Sequence, residues 1–156
     1  MRKITEKIHV PASVESVWEA WATEEGTRTF FAPACCIDLR PKGAYEMYFD
    51  LRAAEGLRGG EGCQVLAVQL NRMLSFTWNA PPSLPSVRGQ YTHVTVTLKG
   101  NLEGTRVKLE HTGWGYGGEW DQAFEYFHVA WSKVVLPRLA YRFTVGPIAW
   151  ENPPKL

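Results

Sequence analysis

The last third of the chain constrains the fold most. A strand-like segment, Thr105 to Thr112, runs into a Gly- and Trp-rich bend, Gly113-Trp114-Gly115-Tyr116-Gly117-Gly118. A long aromatic helix follows, from about Trp120 to about Val145. At ~1.5 Å per residue it would extend for close to 40 Å. It comes after a run of strands, and one long helix laid over an antiparallel sheet tends to leave a pocket between the two layers. That pocket, rather than a catalytic motif, is where function is expected.

Upstream, Ile4 to Val10 alternates as a strand closed by Pro11, and Ser13 reads as the N-cap of a short amphipathic helix carrying Val14, Val17, Trp18 and Trp21. Thr23 caps a second short turn that reaches Phe30 and Phe31 and ends at Pro33. A meander follows, with strands at Ala34–Leu39, Tyr45–Leu51, Cys63–Leu70, Leu74–Asn79, Arg88–Lys99 and Thr105–Thr112. Short turns such as Pro41-Lys42-Gly43 and Asn71-Arg72 demand antiparallel pairing. Ala53–Gly62 is a Gly-rich loop, and Ala80–Ser86 is stiffened by three prolines. The class is α+β: about six to seven antiparallel strands wrapped around the terminal helix, with two short helices after the first strand. A single domain over 1–156 is expected, with its core at about 3–146 and a Pro-rich tail at 147–156.

A net charge of +1 without a basic cluster argues against a nucleic-acid protein. No apolar run approaches the ~18 residues of a membrane span, so a cytoplasmic protein is expected. Cys35 and Cys36 are neighbours that would face opposite ways on a strand, and Cys63 stands alone, which reads as three reduced structural thiols.

Strand alternation predicts which side chains look inward. Gln90, Thr92, Val94, Val96 and Leu98 share one face, with Arg88 beyond them, and Val107, Leu109 and His111 share another. His93 is thereby predicted to face outward. On the long helix, a rotation of ~100° per residue gathers Trp120, Phe124, Phe127 and Trp131 into a stripe, with His128 on its edge. Val134, Val135 and Arg138 continue it. Pro137 is expected to kink the axis and put Arg138 and Arg142 at a rim. The pocket residues expected are therefore Trp78, Arg88, Gln90, His111, Trp114, Trp120, Phe124, Phe127, His128 and Trp131. The mouth is expected near the 80–86 and 53–62 loops. Plain core packing is the competing account of the same rings.

Two tempting motifs fail. Gly113, Gly115 and Gly118 match the spacing of a dinucleotide fingerprint, but no second parallel strand follows the helix. His9, His93, His111 and His128 have no metal-ligand spacing, so no metal is expected, and no other cofactor is implied. No serine or cysteine sits in a nucleophile context, and no catalytic residue is assigned.

Several segments carry a family resemblance: Val10-Pro11-Ala12-Ser13 through Val17-Trp18-Glu19-Ala20-Trp21, Pro41-Lys42-Gly43-Ala44-Tyr45, Gly62 to Leu66 with Leu74 to Trp78, and Gly104 to Trp114. The chain resembles the activator of heat shock protein 90 ATPase homologue family, within the SRPBCC (START-like) superfamily with the helix-grip fold. The resemblance implies a sheet wrapped around the C-terminal helix with a hydrophobic cavity between them. Superfamily relatives bind lipids, hormones and polyketides, and some catalyse cyclisation. The resemblance implies no common catalytic set.

Three functions follow as expectations. The first is a binding protein for an apolar, aromatic or lipid-like small molecule, oriented by Gln90, His111 and Arg88. The second is an enzyme of cyclase, dehydratase or hydrolase type in the same cavity, with His111 as acid–base. The third is a chaperone-associated or stress-response partner protein. Neither nucleic acid nor membrane is an expected partner.

Overall fold

The computed structural model describes residues 2–156. Strand β1 (Ile4–Val10) leads to helix α1 (Val14–Ala22) and a one-turn α2 (Glu24–Thr27). The two N-caps form as the sequence expects: Ser16 N–H donates to Ser13 Oγ at 3.2 Å, and Gly26 N–H to Thr23 Oγ1 at 2.9 Å. Strands β2 (Ala34–Ile37), β3 (Tyr45–Tyr48), β4 (Val65–Gln69) and β5 (Met73–Trp78) come next. A short helix α3 (Pro85–Arg88), the long strands β6 (Thr92–Asn101) and β7 (Gly104–Thr112), and the terminal helix complete the chain.

Every strand pair is antiparallel. Five strands form one sheet in the order β1-β7-β6-β5-β4, and β2 pairs with β3 alone. Isolated bridges at Ala44–Gln64 and Tyr48–Gly59 set the β3 segment beside the chain that leads into β4, so the sheet wraps onward with a break rather than stopping at β4. The expected helix-grip architecture is thus present, with its meander divided five and two.

The terminal helix runs unbroken from Glu119 to Thr144, but it changes hydrogen-bond pattern midway. Helix α4 (Glu119–Val129) passes into a π segment (Ala130–Val135) and then α5 (Leu136–Thr144). In the π segment Leu136 N–H reaches back five residues to Trp131 O. Pro137 therefore falls in the first turn of α5, where its missing N–H costs little. The wide turn inserts one residue and rotates everything beyond it. Leu136 and Leu139 enter the core beside the expected Val135, while Val134 and Arg138 face the cavity.

The sequence reading fails at the start of β6. The strand begins at Thr92, not Arg88, because Pro85 to Arg88 winds into a helical turn with proline at its N-terminus. Arg88 and Gln90 consequently lie outside the sheet face assigned to them. Beyond Thr92 the alternation holds: Thr92, Val94, Val96 and Leu98 are buried, as are Val107, Leu109 and His111, while His93 is exposed. After Gly146 the tail folds back on the α2 region, where Ile148 N–H donates to Thr29 O at 2.9 Å and Trp150 Nε1 to Arg28 O at 2.6 Å.

Candidate functional site

A cavity of about 360 Å³ lies between the terminal helix and the wrapped sheet. Its deep walls are aromatic. Phe31 is carried there by the turn after α2, Trp78 by the end of β5, and Phe127 and Trp131 by the helix on either side of the start of the π segment. These rings touch one another: Phe31–Trp78 centroids lie 5.6 Å apart, Trp78–Trp131 5.9 Å and Phe127–Trp131 6.3 Å. Ala130, Val134 and Val135 supply a helical wall with little bulk at Ala130. The mouth lies between the 49–59 loop and the 79–82 segment, with Phe49, Leu57 and Tyr126 as a half-exposed apolar rim. This is close to the mouth expected from the two loops.

Of the ten residues expected in the pocket, Trp78, Phe127 and Trp131 line it. His111 and Trp114 are buried behind that wall instead. The His111 and Trp114 rings pack at 4.2 Å, and Trp114 meets Phe124 at 5.3 Å and Trp120 at 6.4 Å, so this end of the grip is filled core. The pocket and the packed-core accounts of the aromatic stripe each hold for one end of it. His128 is exposed on the outer side of the helix. Gln90 is exposed, and its Nε2 donates to Ser86 O at 3.1 Å.

Arg88 has a structural task beside the mouth. Its guanidinium donates to Ala80 O at 2.5 Å, Gly56 O at 2.7 Å and Gly59 O at 2.9 Å, with Glu61 Oε1 at 3.3 Å. It therefore ties the Gly-rich loop to the segment after β5. Glu61 supports the same loop by accepting from Arg58 N–H at 2.9 Å and Gly59 N–H at 2.7 Å.

His111 is fully buried and both ring nitrogens are engaged. Trp131 Nε1–H donates to Nδ1 at 3.0 Å, which leaves the proton on Nε2 to donate to Thr92 Oγ1 at 2.6 Å. The Thr92 hydroxyl passes its own proton on to Trp78 O at 3.0 Å. Burial, helped by nearby His93, lowers the His111 pKa to about 3. A neutral imidazole with no free nitrogen and no face on the cavity cannot exchange protons with a substrate there. This arrangement gives no support to the expected acid–base role for His111.

The Gly-Trp bend is likewise structural. Gly117 and Gly118 have φ of 80° and 53°, and the chain at Gly115 lies against the Trp120 indole, where no Cβ fits. Arg2 clamps the bend from outside through Gly115 O at 2.8 Å and Asp121 at 2.7 Å.

Sequence reasoning missed Phe31, Phe49, Leu57, Arg58 and Ala130 as lining residues. Their placement depends on how loops pack, which no periodicity records. Arg138, expected at a rim, does line the cavity, whereas Arg142 lies over the Phe143 ring away from it. The Arg138 guanidinium is stacked 5.3 Å from the Trp150 ring, and burial holds it below the usual guanidinium range. Among the described residues no three His, Cys, Asp or Glu side chains group as metal ligands, and no helix is long and apolar enough to cross a membrane. Cys35, Cys36 and Cys63 are free thiols.

An antiparallel sheet gripping one long C-terminal helix over an apolar cavity defines a START-like helix-grip protein, a fold that often binds ligands. The chain belongs to the family of activator of Hsp90 ATPase homolog 1-like proteins, whose family model matches residues 11–143. Solved structures of similar fold include a Mesorhizobium loti protein, MLL2253, at 21% identity and TM-score 0.70, covering 89% of this chain and 94% of that one. The Aha1 dimer from Colwellia psychrerythraea matches at 20% identity and TM-score 0.70, over 94% and 98% of the two chains. CalU16 from Micromonospora echinospora matches at 21% identity and TM-score 0.69, over 95% and 78%. At these identities the likeness is one of fold. A comparison with curated proteins finds no match.

Proposed function

We propose that this protein binds a small apolar or aromatic molecule in the cavity between the π segment and the sheet. The observation that carries the reading is the cavity itself: about 360 Å³, walled by Phe31, Trp78, Phe127 and Trp131. That volume lies at the low end of the range for ligand sites, roughly 300–1,000 Å³. It suits one or two fused rings or a short acyl chain better than a sterol. The polar groups are few and peripheral, as binding sites of this kind require. Binding rather than catalysis is the reading supported, because the one buried histidine near the cavity has both nitrogens occupied.

Two of the cavity walls are tryptophans, so occupancy should change intrinsic fluorescence. Titration with fused-ring aromatics and medium-chain fatty acids should give saturable quenching or a spectral shift. Ala130→Phe places a ring in the cavity without removing a hydrogen bond, and it should abolish the response while leaving the unfolding transition cooperative. Saturable binding that persists unchanged in A130F would place the ligand elsewhere and contradict the proposal.

A further inference from the structure

We infer that the ligand carries an anionic head group, a carboxylate or its equivalent, received between Arg58 and Arg138 at the cavity mouth; this deepens the binding reading above and rests on it. Both arginines line the cavity, one from the Gly-rich loop and one from the first turn of α5. The Arg58 Nε donates to Ala53 O at 2.9 Å, and among the described residues its terminal nitrogens have no acceptor. Arg138 has neither a hydrogen bond nor an ion pair among the described residues; its one specific contact is the face of Trp150.

That contact fixes where Arg138 sits. Trp150 is itself held by its hydrogen bond to Arg28 O, so the guanidinium is stacked on an anchored ring. Its donors therefore remain free for another partner. None of the unbonded guanidinium nitrogens of Arg58 or Arg138 is sealed from solvent, so each can exchange water for an anion arriving at the mouth. Both line the same apolar cavity, and a guanidinium offers a fork of donors suited to a planar carboxylate.

The one carboxylate among the lining residues, Asp50, does not cancel them. Its Oδ1 accepts from Arg52 N–H at 3.1 Å, and it makes no ion pair with either arginine. The lining thus carries two cations against one anion. An apolar body enclosed by aromatic rings, with cationic donors at the opening, describes an amphipathic acid lying with its head outward.

Isothermal titration calorimetry with 2-naphthoic acid and 2-naphthamide tests the inference, since the two differ chiefly in charge. The acid should bind at least about tenfold tighter than the amide at low salt, and the gap should narrow as salt rises. Arg138→Gln and Arg58→Gln should each weaken binding of the acid more than binding of the amide and so reduce the gap, and Arg138→Lys should retain part of it. Equal affinities for acid and amide would overturn the anionic head group while the cavity reading stood. A preference for the acid that survives R58Q/R138Q would overturn the assignment to these arginines. Binding of neither compound, nor of the medium-chain fatty acids, would overturn both readings.

Discussion

Trp131 Nε1–H points at His111 Nδ1 across 3.0 Å, and this single bond joins the terminal helix to the centre of the sheet. It fixes the imidazole tautomer, and through Thr92 it extends to the end of β5. The same indole is a wall of the cavity. Trp131 is therefore unsuited to be a simple binding probe, because its removal damages the core.

Trp131→Phe should destabilise the protein by about 2–4 kcal/mol, combining lost volume with an unpaired buried Nδ1. Chemical denaturation of wild type and variant gives the comparison. An unchanged midpoint would mean that the hydrogen bond does not hold the helix to the sheet.

His111 also gives stability a pH dependence. Its pKa is lowered from 6.5 to about 3 on folding, so the unfolded chain binds the proton more readily. The stabilisation is complete above pH 6.5. It should fall by about 1.4 kcal/mol per pH unit as the pH drops below the unfolded value. Between about pH 6.5 and 4.5 this loss precedes the titration of ordinary carboxylates. Denaturation midpoints measured across that window should decline in wild type and much less in His111→Gln. A flat profile in wild type would show that His111 does not stay neutral in the fold.

Arg88→Met should free the loop it clasps. Three carbonyls would lose a charged donor, at a cost of about 2 kcal/mol or more. Hydrogen exchange and limited proteolysis should rise within residues 53–62 and not in β6 or β7. Unchanged protection in that loop would mean that its position is set by other contacts.

Gly26→Ala tests the packing of α2 on α1. A Cβ at this position would fall on the Glu19 carbonyl, which is backbone and cannot swing aside. Overpacking of this kind costs about 1–3 kcal/mol, and thermal unfolding should shift down accordingly. A variant as stable as wild type would show that the two short helices can separate freely.

The sequence made much of this fold legible and rather less of its site. Alternation along β6 and β7 was enough to turn His111 inward and His93 outward, because one face of the sheet is buried throughout. The capping residues Ser13 and Thr23 marked both short helices. Arg88 and Gln90 were misplaced because Pro85 starts a helical turn where alternation alone suggested a longer strand. The π segment was invisible for another reason. Reaching back five residues instead of four is decided by packing around Trp131 and Pro137, and no side-chain pattern distinguishes the two. That one extra residue moved Leu136 and Leu139 into the core. Phe31, Phe49 and Arg58 come from loops whose positions are set by tertiary contacts, which left half of the cavity wall unreadable.

Thermal stability of wild type and Ala130→Phe across a panel of aromatic acids, fatty acids, flavonoids and sterols tests the central claim most directly. A ligand that binds only the folded state adds about 2.7 kcal/mol at a hundredfold excess over Kd. The cavity account predicts a chemically coherent set of small acids that stabilise the wild type, with sterols inactive and every hit lost in A130F. Hits of equal size in both proteins, or no hit among the small acids, would contradict it.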